Sequence, residues 1–360
     1  MSDGRWMDLA LSLARQGVGQ TAPNPSVGAV VVRDGELLGA GWTRPAGGAH
    51  AEVVALEAAR AAGHDLQGAT MYVTLEPCCH HGKNPPCTDA ILAAGLSRVV
   101  AGIEDPFPPM QGKGLEILRH AGVEVALGVR AEACAEVVGG FTRAISHGLP
   151  LVTCKAGVSA DGRIATAAGE SQWITGPEAR AHSNALRGTH DAILVGIGTV
   201  LADDPRLTCR VQQGVDPVPV VLDSELRIPA DAALLRSTRR ALILTAEDAP
   251  ARALDADVVR IPRGEGGVDI EAALRVVAGR GLHRVLVEGG GLVHRSLFDA
   301  GLVDHLLLYL GGVLIPGGRP WIGGPPIPEL AAAVRLYGLV VEPLGEGALL
   351  RWRVKHRLEV

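Results

Sequence analysis

Aromatic side chains make up only 3% of the 360 residues, which leaves no obvious supply of stacking platforms for single-stranded nucleic acid. Positive charge is not in excess: 34 Lys and Arg stand against 39 Asp and Glu, a net charge of -5. That argues against coating nucleic acid or an anionic membrane through bulk charge, and leaves only a local basic groove open. No apolar run reaches the ~18 to 20 residues of a membrane span. The opening Met1-Ser2-Asp3-Gly4-Arg5-Trp6 lacks a basic region followed by an apolar stretch, so no export signal is expected. Repeats and low-complexity tracts are missing too. The expectation is a soluble, cytoplasmic protein with no membrane and no nucleic-acid partner. Disorder is excluded by what is present: 47% hydrophobic against 20% charged residues is enough to bury a sizeable core. The length gives a prior of two or three domains.

Strand and helix patterns alternate along the chain. In the first part, helix-like stretches at 6–16, 51–62, 88–94, 115–120 and 131–146 alternate with strand-like ones at 29–32, 37–42, 70–75, 98–103 and 123–127. Asp34-Gly35 marks a hairpin between the first two strands, and Thr88 is a candidate cap for its helix. A hairpin followed by βαβ units predicts a mixed sheet covered by helices. A boundary is expected near His147-Gly148-Leu149-Pro150, giving domains 1–147 and 148–360. In the second part, strands are expected at 151–155, 192–195, 218–222, 241–245, 258–261, 284–287 and 305–310, with helices at 177–187, 270–278 and 293–300. The Gly- and Pro-rich stretch 311–328 is expected to be loop with short strands.

The six cysteines are unevenly spread. Cys134, Cys154 and Cys209 are scattered and read as small buried residues. Cys78, Cys79 and Cys87 cluster among histidines, which reads as a metal site rather than a disulfide framework. His50-Ala51-Glu52, Pro77-Cys78 and Pro86-Cys87 offer the imidazole and thiolate ligands that zinc prefers. Three such ligands leave one tetrahedral position for a water, whose pKa zinc lowers to about 7. Glu52, two residues after His50 at a helix start, suits proton transfer rather than ligation. A His-x-Glu followed by Pro-Cys-x-x-Cys is the signature of zinc base deaminases; here eight residues, 79–86, separate the cysteines. By spacing alone, Cys79, His80 and His81 compete as ligands, and a closed four-ligand zinc knot stays open. Asn24 between two prolines reads equally as a turn residue, and His81 and Lys83 as solvated loop groups. His64, His120 and His147 read as structural.

The run Thr74-Leu75-Glu76-Pro77-Cys78-Cys79-His80-His81-Gly82-Lys83-Asn84-Pro85-Pro86-Cys87, with Pro23-Asn24-Pro25-Ser26-Val27-Gly28 upstream, resembles the zinc loop of the bifunctional deaminase/reductase family of riboflavin biosynthesis. That resemblance implies a cytidine-deaminase-like fold with His50, Cys78 and Cys87 on zinc and Glu52 as proton shuttle. It also implies that Asn24, His80, Lys83 and Asn84 border the substrate. Cys79 replaces the family's usual Ser, and Asn84 its frequent Thr; both leave the zinc ligands intact.

In the second part, Gly196-Ile197-Gly198-Thr199 and Glu288-Gly289-Gly290-Gly291 each follow a strand, where backbone N–H groups can approach phosphates. Lys155-Ala156-Gly157-Val158-Ser159-Ala160-Asp161-Gly162-Arg163, Gly169-Glu170-Ser171-Gln172-Trp173-Ile174-Thr175 and Thr199-Val200-Leu201-Ala202-Asp203-Asp204-Pro205 resemble the reductase half of the same family. The resemblance implies a dihydrofolate-reductase-like α/β domain. Its NADPH would lie on Gly157, Trp173, Thr199, Asp203, Ser224 and the turn Gly290, Gly291, Leu292, Val293, His294, Arg295 and Ser296. Ser171, Arg187, Leu207, Arg210 and Glu288 would face the substrate, with the Arg187 and Arg210 guanidinium forks as phosphate partners and Asp203 near the reacting centre.

The expectation is an enzyme that uses Zn2+ to deaminate a diaminopyrimidine ribonucleotide and NADPH to reduce its ribosyl group to ribityl. Homo-oligomerisation is compatible with all of it. The rival readings are a nucleic-acid base deaminase, a structural zinc module beside an inert nucleotide-binding domain, and a pterin or folate reductase that leaves the zinc motif without a role.

Overall fold

The computed structural model describes residues 2–82, 84–211 and 214–355. The chain divides into two compact units, Met1–Leu149 and Pro150–Val360.

The first unit runs α1 (Asp3–Gly17), β1 (Gly28–Arg33), β2 (Glu36–Trp42), α2 (Ala51–Ala61), β3 (Thr70–Val73), α3 (Cys87–Ala93), β4 (Arg98–Ala101), α4 (Lys113–His120), β5 (Glu124–Leu127) and α5 (Ala131–His147). Its sheet has the order β2-β1-β3-β4-β5. The Asp34-Gly35 turn makes β1 and β2 antiparallel, and β3, β4 and β5 are parallel. Strand alternation sends Val30 and Val32 toward Met7, Leu11 and Val137 of α1 and α5. It sends Ala29 and Val31 toward Ala55, Leu56, Ile91 and Leu118 on the other face. Close approach needs missing side chains: a Cβ on Gly28 would overlap the Ala10 carbonyl, and one on Gly39 the Ala55 carbonyl. Thr88 does not cap α3. Pro86 holds the N-cap position, α3 starts at Cys87, and Thr88 lies buried in its first turn. The earlier start follows from the Cys78 loop, whose carbonyl accepts from the Thr88 N–H at 3.2 Å.

The second unit runs β6 (Leu151–Ser159), β7 (Arg163–Ala165), α6 (Pro177–Arg187), β8 (Ala192–Gly196), α7 (Ile197–Asp203), β9 (Val218–Leu222), β10 (Leu242–Ala246), β11 (Asp257–Ile261), β12 (Arg263–Gly264), β13 (Gly267–Val268), α8 (Ile270–Gly279), β14 (Arg284–Val287), α9 (Gly291–Asp299), β15 (His305–Gly311), β16 (Arg319–Pro320), β17 (Leu336–Leu344) and β18 (Gly347–Val354). The large sheet has the order β11-β10-β9-β8-β14-β6-β15-β18-β17. It is parallel through β15, then antiparallel through β18 and β17. β17 and β18 lie beyond the strands expected from the sequence. Gly338, at φ +65, and Pro343 interrupt the apolar pattern of β17, and its register shifts between Tyr337 and Val340.

Candidate active sites

In the first unit the ligand geometry follows from two helix starts. His50 occupies the N-cap position of α2 and Cys87 is the first residue of α3. Cys78 arrives on the loop after β3. The His50 Nδ1 lies 3.5 Å from Cys78 Sγ and 3.4 Å from Cys87 Sγ, and the three ligand atoms lie within 4.8 Å of one another. A tetrahedral zinc with bonds of about 2.0 Å to nitrogen and 2.3 Å to sulfur separates such atoms by about 3.6 Å, so the donor set fits the ion. The Cys87 N–H donates to Cys78 Sγ at 3.4 Å. Cys78 is drawn down to about 4, first by hydrogen bonding to Cys87, while Cys87 is pushed up, first by Cys78. Two thiols sharing one proton are what a divalent cation would replace. Among the described residues no other His, Cys, Asp or Glu group is placed to hold a metal. Cys79, His80 and His81 therefore supply no fourth ligand, and the closed knot lacks one.

Glu52 sits in the first turn of α2, 4% exposed. Burial lifts its carboxyl to about 7, assisted by the Cys78 charge. A cavity of about 410 Å³ opens beside it and is lined by Asn24, His50, Glu52, Cys78, His80 and Asn84. Asn84 also donates from its Nδ2 to the Gly48 carbonyl at 2.8 Å, tying the zinc loop to the approach to α2. Lys83 lies outside the described residues. Sequence reasoning missed further lining residues, Glu76, Asp105, Phe107, Met110, Phe141 and Ile145. Glu76 lies in the Cys78 motif itself, but spacing gives no sign of the others, because the fold brings them in from the loop after β4 and from α5.

In the second unit the two Gly-rich turns lie side by side, because β8 and β14 are parallel neighbours. A Cβ on Gly289 would come within 3.3 Å of the Gly196 nitrogen, one on Gly290 would be 3.9 Å from Thr199 Oγ1, and one on Gly198 would meet nothing within 4 Å. Two helix N-termini, those of α7 and α9, thus start together at strand ends, with space left at Gly198 and Gly290 while Gly291 packs against the 320–323 backbone; paired helix starts of this kind can receive phosphate groups. The residues present fit a dinucleotide. Gly290, Gly291 and Leu292 form the start of α9, and Leu292 is 72% exposed. Val293 packs back toward Gly289 and Gly196. His294 is buried between the Val287 and Trp321 carbonyls. Arg295 is paired with Asp299, and Ser296 donates to the Leu292 carbonyl. Gly157 lies on β6 opposite Tyr309. Trp173 is exposed, with the Arg180 guanidinium 4.4 Å from its ring centroid. Ser171 and Ser224 are half-buried, while Asp203, ending α7, and Arg210 are exposed.

Arg187 does not offer its fork to solvent. Its Nε and one terminal nitrogen donate to the Glu288 carboxylate at 2.9 and 2.8 Å, and the other donates to the Thr208 carbonyl at 3.0 Å. Leu207 turns its side chain into the core. Lys155, absent from the expected site residues, reaches within 3.5 Å of Glu288. Burial alone would raise Glu288, but Lys155 and Arg187 outweigh it and take the carboxyl down to about 2. The signal for Lys155 was its place on the first strand of the unit, next to the strand that ends at Val287, just before Glu288.

Residues 1–103 match the family model described as the cytidine and deoxycytidylate deaminase zinc-binding region, and residues 150–350 match the RibD C-terminal domain. The riboflavin biosynthesis protein RibD of Actinobacillus pleuropneumoniae is 39% identical, covering 98% of this chain and 96% of its own. That of Escherichia coli K12 is 40% identical over 88% of this chain and 89% of its own. A solved diaminohydroxyphosphoribosylaminopyrimidine deaminase/5-amino-6-(5-phosphoribosylamino)uracil reductase from Thermotoga maritima superposes with a TM-score of 0.89 at 35% identity, covering 98% and 99% of the two chains.

Proposed function

The chain belongs to the RibD family of riboflavin-biosynthesis proteins, and from that premise we propose how its two units divide the work of a bifunctional deaminase and reductase. The first unit deaminates 2,5-diamino-6-(5-phosphoribosylamino)pyrimidin-4-one by hydrolysis. The second reduces 5-amino-6-(5-phosphoribosylamino)uracil at C1′ of its ribosyl group. The observation that carries this reading is the cluster of His50, Cys78 and Cys87 at the edge of one cavity that His50, Cys78, Glu52, Asn24, His80 and Asn84 line.

His50, Cys78 and Cys87 hold zinc, which when bound supplies Lewis-acid activation of water. Glu52 takes a proton from the attacking water and returns one to the departing amino nitrogen, so ammonia leaves and a carbonyl remains. Burial favours the protonated form and lifts the carboxyl to about 7, so both the acid and the base form are populated near neutral pH. Asn24, His80 and Asn84 border the nucleotide.

NADPH supplies the hydride of the second reaction. As C1′ is reduced, its bond to the ring oxygen breaks and that oxygen needs a proton. We assign this proton to Lys155, whose ammonium lies beside Glu288. Arg187 keeps the Glu288 carboxylate in place and Asp203 stands near the reacting centre. Gly157, Trp173, Thr199, Ser224 and the turn 290–296 contribute to the cofactor site. Ser171 and Arg210 contribute to the substrate site, whereas the side chain of Leu207 is committed to the core.

No described helix is long and apolar enough to cross a membrane, and the free cysteines fit a reducing cytoplasm. The net charge disfavours nucleic acid as a partner. A second copy of the chain is the partner we assign to the edge strand β17, which exposes Leu336, Tyr337, Leu339, Val340 and Val341. Incubating the protein with the diaminopyrimidine nucleotide, with and without NADPH, tests the assignment: ammonia is expected in both, and the ribityl product only with NADPH. Ammonia release from RNA or single-stranded DNA instead would favour the base-deaminase reading.

A further inference from the structure

Glu76 sits two residues before Cys78, yet its carboxylate is not part of the metal-ligand group. It is 4% exposed and takes four backbone N–H bonds from one segment. Its Oε2 accepts from Asp105 at 3.0 Å and Gly112 at 2.8 Å. Its Oε1 accepts from Gly114 at 2.8 Å and Leu115 at 3.2 Å. Three of these donors belong to the start of α4, where N–H groups lack intrahelical partners and the helix dipole favours a negative charge. The approach is tight: a Cβ on Gly114 would overlap the Pro77 carbonyl. The Asp105 carboxylate in turn accepts from the Phe107 N–H at 2.8 Å. The segment so held, 104–112, carries Asp105, Phe107 and Met110, one wall of the cavity beside Glu52.

We infer that Glu76 is a positioning residue for deamination: it clamps the cavity wall at 105–115 to the loop that carries Cys78. Closing the metal loop and shaping the substrate pocket are then one event. A carboxylate with both oxygens filled by amide donors does this better than any neutral side chain, because charge-assisted bonds are about twice as strong. The inference rests on the first unit being the deaminase.

The test uses the full-length, zinc-loaded protein with Glu76→Gln and Glu76→Ala. The Gln variant keeps one acceptor oxygen and so half of the clamp. It is expected to retain zinc and to reduce the deaminated nucleotide at the wild-type rate, which reports that the chain is folded. Hydrogen exchange at the amides of Asp105, Gly112, Gly114 and Leu115 should speed up by about tenfold, and KM for deamination should rise by about tenfold with kcat changed less than about threefold. Glu76→Ala should move both readouts further in the same direction. Unchanged KM with faster exchange would reduce Glu76 to a structural role, and a fall in kcat alone or a loss of zinc would also overturn the inference. A wild-type protein that released no ammonia would sink the functional reading instead. Exchange at those amides, measured without substrate, would still decide whether Glu76 holds the segment.

Discussion

The two units solve the same problem differently. Each gathers chemistry around the ends of parallel strands and the starts of helices. The first does so with ligands packed into two short stretches, His50 to Glu52 and Cys78 to Cys87. The second assembles its charged centre from Lys155, Arg187 and Glu288, on three elements far apart in the chain. The difference lies in what is bound. A metal demands particular donor atoms, so residue type carries the information. A dinucleotide is received by backbone N–H groups and space, so the information lies in topology.

The contrast can be broken at its strongest point first. Cys87→Ala removes a buried proposed ligand, and zinc content is expected to fall from about one per chain to near zero, with deamination down at least about a thousandfold. Metal analysis beside the ammonia assay checks it. Reduction should be untouched, and a parallel loss of reduction would erase the distinction between the units. Next, Lys155→Met keeps the stem but deletes the ammonium. Reduction should fall about a hundredfold or more while ammonia release persists, as read by product formation from the supplied deaminated nucleotide.

Acid sharpens the comparison through stability. Burial lowers His190 to about 3 and His305 to about 4, whereas an unfolded histidine titrates near 6.5. Between those values the unfolded chain binds more protons, so stability is lost as the pH falls from about 6.5 toward 4. Glu288, held at about 2, adds a further loss below about 4.5. Calorimetry of the full chain should show the transition that NADPH raises shifting down over this window more than the other. Equal shifts would contradict the assignment of these groups. The smallest effect is expected at the edge of the sheet. Val340→Lys on β17 should lower the oligomeric state in light scattering while changing either activity by less than about twofold.

The sequence made the first unit the more legible one. The hairpin at Asp34-Gly35, the mixed sheet and the cluster at His50, Cys78 and Cys87 all follow from local signals: turn chemistry, alternation and ligand type. The spacing left Cys79, His80 and His81 as rivals; the family resemblance implied Cys87 in their place, and the fold brings the start of α3 to the Cys78 loop. The wall at Asp105 to Met110 was invisible, because cavity walls are made by distant loops and carry no motif. In the second unit the parallel strands were readable from their apolar runs. β17 and β18 were not, since Gly338 and Pro343 disturb the alternation and the pairing is set by β15. Arg187 read as a phosphate fork because its type suits one. Its real partner, Glu288, lies 101 residues away.

The central claim is that the chain holds two separate sites, and the most direct measurement crosses one substitution in each site with both substrates. Glu52→Gln is expected to keep zinc, release no ammonia from the diaminopyrimidine nucleotide and reduce the deaminated nucleotide at a near-normal rate. Asp203→Asn is expected to release ammonia normally and lose reduction. If either folded variant lost both activities, the account of two separate sites would be contradicted.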